Sequence, residues 1–231
     1  LDYPLVDCDP AIRYPDLVID VFSSTLSMSQ YSQQLFCEAG GFEIVSHLLM
    51  KCSAKLINYQ LYLHFFGMLE VITEPKLQSQ LLDYIILNIL LWYRADAINH
   101  LKIIKHWIRV VYPSYTSQFA ELRPIKMLIG VMKLFYESEV KKGQFSVIIA
   151  PPPKNLNFSE CRKIINTIIQ QMATIQYAES DFLYLIGSII AARDHDLTLS
   201  YLELLAALIM ITPSPLENHP VDALSLLMLT F

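Results

Sequence analysis

The feature that most constrains this chain is the helical spacing of its apolar residues, which continues over almost the whole length. Between positions 125 and 135 the apolar side chains recur at i, i+3, i+4, i+7 and i+10. Residues at this spacing share one face of an α-helix, so the stretch is predicted to be amphipathic and helical. The apolar positions are Ile125, Leu128, Ile129, Met132 and Phe135.

The composition favours helices as well. Hydrophobic residues make up 54% of the 231 positions, while there are only 6 glycines. β-Sandwiches and β-barrels need many short strands joined by glycine-rich turns, which this sequence does not offer. The longest near-continuous apolar run, 84–93, is interrupted by Asn88 and is far shorter than the roughly 20 residues of a spanning helix. We therefore predict an all-α fold without a transmembrane segment.

Start and stop signals divide the chain into helical segments with short connections. Pro15 and Pro124 suit first turns, and Gly40-Gly41 suits the end of one helix and the start of the next. Ser159, Ser180 and Asp196 are predicted N-caps. The predicted helices are 16–28 with 30–38, 42–52 with 56–73, 77–93 with 97–111, then 117–138, 159–176, 180–193, 196–211 and 220–231.

Short connections between consecutive helices mean antiparallel neighbours. The predicted architecture is therefore an armadillo/HEAT-like α-solenoid of stacked antiparallel helix pairs, forming one domain over 1–231. The exception is the segment 141–157, which contains Gly143 and the triplet Pro151-Pro152-Pro153. Consecutive prolines cannot continue a helix, so we predict an exposed, proline-rich loop, and a ligand for proline-recognition domains is the alternative.

No catalytic or metal-binding pattern is present in the sequence. Glu-x-x-His pairs, HExxH, GxSxG and phosphate-binding glycine loops are all missing. His100 and His106 are six residues apart, which places them on different faces of a helix. Asp194-His195-Asp196 falls between two predicted helices, where aspartates commonly serve as caps and in turns. We predict no enzyme activity, no cofactor and no metal.

The four cysteines are scattered, and none forms a CxxC pair. They are Cys8, Cys37, Cys52 and Cys161. Isolated cysteines usually behave as small buried hydrophobes, and this usage fits the reducing cytoplasm. The chain also starts without Met and stops inside an apolar stretch, so we expect it to be a piece of a longer protein.

Charge is unevenly distributed. Residues 94–142 contain 9 basic and 4 acidic side chains, whereas the whole chain has a net charge of −5. Within this segment Lys102, Lys105 and Arg109 have the spacing i, i+3 and i+7, with His106 beside them. This basic stripe is either an ordinary solvated helix face or a contact surface for an acidic protein or anionic lipid. The acidic chain as a whole makes nucleic acid a poorer candidate.

Two patterns resemble known proteins. The run from Glu38 to Leu49, EAGGFEIVSHLL, resembles the start of the third helix of an armadillo repeat. The succession LLW at 90–92, HLKIIKHW at 100–107, LRPIK at 122–126 and LFY at 134–136 resembles the armadillo-like region of BEACH-domain proteins, the neurobeachin and beige (Chediak–Higashi) group. The resemblance continues through Cys161-Arg162, ESDFL at 179–183, Asp194-His195-Asp196 and YLELLAAL at 201–208, and covers about 85–213.

That resemblance implies a very large cytosolic protein, peripherally associated with endosomal or vesicle membranes, that acts in vesicle trafficking and endosomal or lysosomal sorting. It implies an interaction scaffold for trafficking proteins and no enzyme activity. Residues 1–84 carry little of the pattern, which suggests a divergent, fungal beige-like member. The alternatives are an armadillo-type adaptor that binds an extended peptide or acidic partner outside trafficking, and an all-helical enzyme.

Overall fold

The computed structural model describes residues 14–137 and 152–211, and within these ranges the chain is helical without any β-strand. The all-α prediction is therefore confirmed for the described residues. Contacts between α-carbons divide the chain into two compact units, Leu1–Ala95 and Asp96–Phe231. Whether 1–231 behaves as one domain stays a prediction. The predicted helix 220–231 lies outside the described residues, as does most of the predicted loop 141–157.

The N-terminal unit contains six α-helices within its described part. They are α1 (Tyr14–Ser27), α2 (Gln30–Glu38), α3 (Gly41–Lys51), α4 (Tyr59–Val71), α5 (Pro75–Leu81) and α6 (Ile89–Trp92). The predicted stop and start at Gly40-Gly41 is confirmed, because Gly40 has the left-handed φ of 65° that ends α2 and α3 begins at Gly41. Asn58 caps α4 through a 2.9 Å bond from the Leu61 amide to its Oδ1.

One buried glutamine holds three helices of this unit together. Gln33 on α2 donates to the carbonyl of Leu26 at the end of α1 (2.9 Å) and accepts from the Thr73 amide beyond α4 (2.9 Å). Its side chain thus satisfies backbone groups that the helix ends leave without partners. Because Gln33 is only 2% exposed, these bonds form inside the core.

The predicted helix 77–93 is not continuous. After α5 the chain forms a wider π-helical segment, π1 (Leu82–Ile86), and breaks at Leu87-Asn88 before α6 begins. Asn88 causes the break, because its Nδ2 donates to the Tyr84 carbonyl (3.0 Å) while its Oδ1 accepts from the Leu91 amide. Short polar side chains compete with the helix ladder in this way.

The C-terminal unit contains seven α-helices within its described part. They are α7 (Ala97–His106), α8 (Tyr112–Ser114), α9 (Thr116–Leu122), α10 (Ile125–Tyr136), α11 (Phe158–Ala173), α12 (Glu179–Ala191) and α13 (His195–Ile211). A second π-helical segment, π2 (Trp107–Val111), joins α7 to α8. The predicted helix 117–138 is wrong in one respect, since α9 and α10 are separate. Pro124 lacks an N–H and disfavours a helical Arg123, so the helix ends there.

The three predicted N-caps are each displaced by about two residues. Asn157 caps α11 instead of Ser159, with a 3.1 Å bond from the Glu160 amide. Asp181 binds the Ala178 amide at the start of α12, where Ser180 was predicted. Asp194 accepts from the amide of Asp196 itself at the start of α13. Several capping residues lie close together in each of these sequences, so spacing alone did not select the right one.

Hydrogen bonds between helices show how the C-terminal unit is layered. Lys126 on α10 contacts Ser180 on α12, and one turn later Gly130 lies beside Tyr184, so these two helices run parallel. Helices α11 and α13 are likewise parallel, since Arg162 lies beside Asp194 and Asn166 donates to the Ser200 carbonyl. Because α10 and α11 pack as antiparallel neighbours, the helices form stacked pairs with the core between two layers.

Candidate partner-binding surface

The basic stripe lies on α7 and π2 in the C-terminal unit. Asp96 begins this stretch as the N-cap, with its Oδ1 accepting from the Asn99 amide at 2.9 Å. The apolar side of α7 faces inward, and the prediction that Trp107 lies in the core is confirmed, since Trp107 is 1% exposed. With this side buried, the polar positions of the helix face outward. The structure therefore places Lys102 and Arg109 on the exposed surface.

Lys105 is already engaged within the fold. Its Nζ lies 2.6 Å from Oε1 of Glu160 on α11, and both side chains are 36% exposed. An ion pair at this exposure contributes about 0–1 kcal/mol to stability, but it neutralises much of the positive charge that Lys105 would present. A partner that binds Lys105 must therefore compete with Glu160.

His106 contributes little positive charge at neutral pH. Its side chain is partly buried, and desolvation lowers the pKa of the imidazole below its usual value near 6.5. A lowered pKa means that the ring is predominantly uncharged at pH 7. His106 is therefore a polar neighbour of the stripe and not one of its charges.

The π segment also changes the geometry of the stripe. Spacings of three and seven residues define one face only if the helix is a regular α-helix. In π2 the hydrogen bonds span five residues, so each turn holds more residues and Arg109 is rotated about the axis relative to Lys102. Lys102 and Arg109 are both exposed, but they are not aligned as the sequence spacing predicted.

Other cations of the basic segment support the fold. Arg94 donates to the carbonyls of Leu49 and Cys52 at the end of α3. Arg123 is 8% exposed and donates to the adjacent Leu122 carbonyl. Among the described cations of 94–142, only Lys102 and Arg109 are fully exposed. The excess positive charge in the sequence therefore overstates the positive charge at the surface.

A buried polar cluster connects α7, α10, α11 and the start of α13. Arg162 is 2% exposed, donates to the Tyr136 carbonyl (2.7 Å) and lies 3.8 Å from the Asp194 carboxylate. The Tyr136 hydroxyl is 2.8 Å from Nε2 of His100. The motif Asp194-His195-Asp196 thus supplies a buried counter-ion and a helix cap. Sequence spacing did not reveal this cluster, because its members are up to 94 positions apart.

Two candidate chemistries can be assessed from the geometry. Cys161 is buried, and desolvation raises the pKa of its thiol to about 12, which makes it a poor nucleophile at neutral pH. In the part of the chain that the structure describes, no three histidine, cysteine or carboxylate side chains are grouped as metal ligands. The same part contains no helix that is both long enough and apolar enough to cross a membrane.

Stacked helix pairs with a continuous core define the C-terminal unit as an α-solenoid of the kind that serves as an interaction scaffold. A comparison with protein-family models identifies the family. Residues 6–222 match the family described as the Neurobeachin/BDCP, DUF4704 alpha solenoid region, and the chain belongs to this family. No curated protein and no solved structure matches the chain.

The family match confirms both the BEACH-protein resemblance and the α-solenoid prediction. It also extends the resemblance, which sequence analysis had limited to about 85–213, over most of residues 1–84. The weak pattern in that first part is therefore divergence within the family. Its attribution to a fungal member stays a prediction.

Proposed function

We propose that this chain is a non-enzymatic scaffold segment of a BEACH-type protein that acts in vesicle trafficking and in endosomal or lysosomal membrane sorting. The observation that carries the proposal is the family match over residues 6–222. The fold supports it, because stacked helix pairs bury their core between layers and leave a long outer surface for partners. We place this action in the cytoplasm and at the periphery of endosomal or vesicle membranes.

The proposed contacts are proteins of the trafficking machinery, with anionic membrane as an additional contact. Lys102 and Arg109 are the proposed contact residues, while Lys105 and His106 flank them. The exposure of Lys102 and Arg109 supports this choice. A cation near an anionic bilayer contributes about 1 kcal/mol to membrane attraction, so two exposed cations add a modest, salt-sensitive term.

An adaptor that binds extended peptides outside the trafficking system finds less support. Armadillo arrays of that kind present exposed tryptophans along a groove, and the two tryptophans here are Trp92 and Trp107. Both are buried, at 0% and 1% exposure, and both were predicted to lie in the core. Neither can stack against a peptide at the surface.

The trafficking role is tested in the native gene. Deleting the codons for residues 6–222, with the rest of the reading frame intact, should missort a lysosome-directed cargo while the amount of the parent protein stays unchanged. Immunoblotting of the parent protein provides the control. Correct sorting at normal protein levels would contradict the proposal.

Membrane contact is tested separately with vesicles of phosphatidylcholine alone or with added phosphatidylserine and phosphoinositide. The Lys102→Glu/Arg109→Glu double variant should sediment less with the anionic vesicles than the wild type at low salt. Lys154→Glu/Lys163→Glu is the matched control, since it makes the same change in charge at other exposed positions. Equal loss in both double variants would assign the binding to net charge and not to this surface.

A further inference from the structure

The outer face of α10 and α12 contains two glycines that helix stability does not explain. Gly130 and Gly187 both lie in the middle of regular helices, where glycine costs about 1 kcal/mol relative to alanine. At Gly187 an added β-carbon would meet no atom within 4 Å, so lack of space inside the fold is not the reason. In a chain with only 6 glycines, two such positions on adjacent helices are notable.

Large apolar side chains surround these glycines on the same surface. On α10, Met127 and Leu134 lie three residues before and four residues after Gly130, and they are 43% and 52% exposed. On α12, Leu183 and Ile190 occupy the corresponding positions around Gly187, with exposures of 53% and 48%. Because α10 and α12 are parallel neighbours, the two sets form one apolar surface with a low centre line.

The groove between the two helices is basic. The Lys126 ammonium lies 2.8 Å from the Ser180 hydroxyl across the groove. Lys133 is seven residues further along α10, so it lies on the same side of the helix, about 10 Å away along the axis. The phenol oxygen of Tyr184 lies 3.6 Å from the position of a β-carbon on Gly130 and adds a hydrogen-bonding group to the groove.

Acidic groups do not cancel this charge along the groove. The sequence from Phe182 to Ala192 contains no charged residue, so α12 contributes only apolar and neutral polar groups beyond its first turn. Glu179 and Asp181 lie at the N-terminus of α12, where Asp181 caps the helix. Glu137 lies beyond the C-terminus of α10. The two lysines are therefore the charges of the central part.

We propose that the α10–α12 groove binds an acidic amphipathic helix of a partner protein. The apolar face of this helix lies on Leu183, Ile190, Met127 and Leu134, and the glycines let the two backbones approach closely. Its carboxylates, about seven residues apart, pair with Lys126 and Lys133, since both helices rise about 1.5 Å per residue. The inference rests on the proposed scaffold function and names the partner chemistry of one surface.

The test uses the purified chain as bait for a phage-displayed library of random peptides long enough for about four helical turns. Selected peptides should carry Asp or Glu about seven residues apart and apolar residues at helical spacing. Their affinity should fall roughly tenfold for Lys126→Glu/Lys133→Glu, because two attractive charge pairs become repulsive. Gly187→Leu should abolish binding without lowering the thermal midpoint, since its side chain fills the groove and not the core.

Gly67→Leu is the matched control, because Gly67 is also an exposed mid-helix glycine with no atom within 4 Å of an added β-carbon, but it lies on α4. It should retain peptide binding. The proposal is overturned if no peptide is enriched over the Lys126→Glu/Lys133→Glu bait, or if Gly187→Leu and wild type bind equally. Anionic vesicles binding through these lysines while no peptide is enriched would assign the groove to a membrane and overturn it too. The peptide assay is independent of the sorting assay, so the two proposals can fail separately.

Discussion

At the scale of single residues, buried aromatic and charged side chains carry the strongest local constraints. Trp107 packs edge-to-face with Phe119 at a ring distance of 6.5 Å, which ties π2 to α9. Such contacts form only after the helices come together. The hydrophobic character of Trp107 nevertheless predicted its inward orientation, because the other apolar residues of α7 lie on the same side.

Replacing Trp107 with Ala should lower the free energy of unfolding by about 3–5 kcal/mol, because it removes a large buried ring and leaves a cavity. Urea denaturation followed by far-ultraviolet circular dichroism measures the change. Ile98→Ala is the control and should stay within about 0.5 kcal/mol, because Ile98 is 70% exposed. An unchanged midpoint for Trp107→Ala would place this side chain at the surface.

Arg162→Met should be more damaging than its conservative size suggests. It leaves the Asp194 carboxylate buried near an apolar side chain, and breaking a buried ion pair typically costs about 3–5 kcal/mol. Adding Asp194→Asn should restore part of the loss, because the amide is uncharged and can still accept the bond from Asp196. Chemical denaturation of the single and double variants measures the coupling. If the double variant is less stable than Arg162→Met, Asp194 acts mainly through other contacts.

At the scale of helices, backbone and capping effects decide where each element begins and ends. The glycines illustrate how context sets the sign of a substitution. An added β-carbon at Gly41 would overlap the ring of Phe36, which packs against Phe22 and Phe42. At Gly67 the same atom meets nothing within 4 Å.

Gly67→Ala should therefore stabilise the protein by about 0.5–1 kcal/mol, through lower backbone entropy of the unfolded chain. Gly41→Ala should destabilise it by about 1–3 kcal/mol, because the ring of Phe36 must shift within a packed cluster. Differential scanning calorimetry of the two variants tests the contrast. Opposite shifts of the thermal midpoint are expected, and equal shifts would contradict the helix packing around Gly41.

The cap at Asp96 makes part of the stability of α7 depend on pH. The hydrogen bond from the Asn99 amide is the main reason why the pKa of the Asp96 carboxyl is lower than usual, and Lys102 contributes to the shift. Because the folded pKa lies below the unfolded value of about 3.9, the stabilisation is complete above that value. It is lost as the pH falls through the folded pKa.

Asp96→Ala should cost about 1 kcal/mol at pH 7, and the difference from wild type should shrink as the pH falls below about 4. Urea midpoints across this pH range provide the measurement. Asp96→Asn serves as the control, since Asn caps helices well without titrating. A constant gap between wild type and Asp96→Ala at all pH values would show that the carboxylate charge has no role.

At the scale of the whole chain, the two compact units raise the question of independent folding. The described core of residues 96–211 is built from α7 to α13, and its large side chains, including Trp107, Tyr136 and Tyr201, are buried within it. A unit with its own hydrophobic core is able in principle to fold alone. This property bears on the predicted single domain, which stays a prediction.

Residues 96–231 expressed alone should give a helical circular dichroism spectrum and a cooperative thermal transition. The Trp107→Ala variant of this fragment is the control, since it should lower the midpoint if the same core is present. A fragment with a random-coil spectrum would favour the single-domain prediction over 1–231. Two separate transitions in the intact chain would favour independent units.

The sequence by itself determined the helical class and most of the buried faces, because both depend on local spacing of apolar residues. It also identified the family from a succession of short segments. Trp92 and Trp107 were predicted to be buried for the same local reason. Helix interruptions at Asn88 and Arg123-Pro124 were visible as residue types, but the competition between side chain and backbone bonds at each was decided in the folded helix.

Only the tertiary structure decided which charges and glycines are available to a partner. Lys105 faces Glu160 across 55 positions of sequence, and Lys126 contacts Ser180 across 54. Such pairings follow from which helices are stacked, and local periodicity contains no information about stacking. For this reason the sequence indicated a uniform basic stripe on α7, whereas the fold leaves Lys102 and Arg109 exposed there and forms a separate basic groove between α10 and α12.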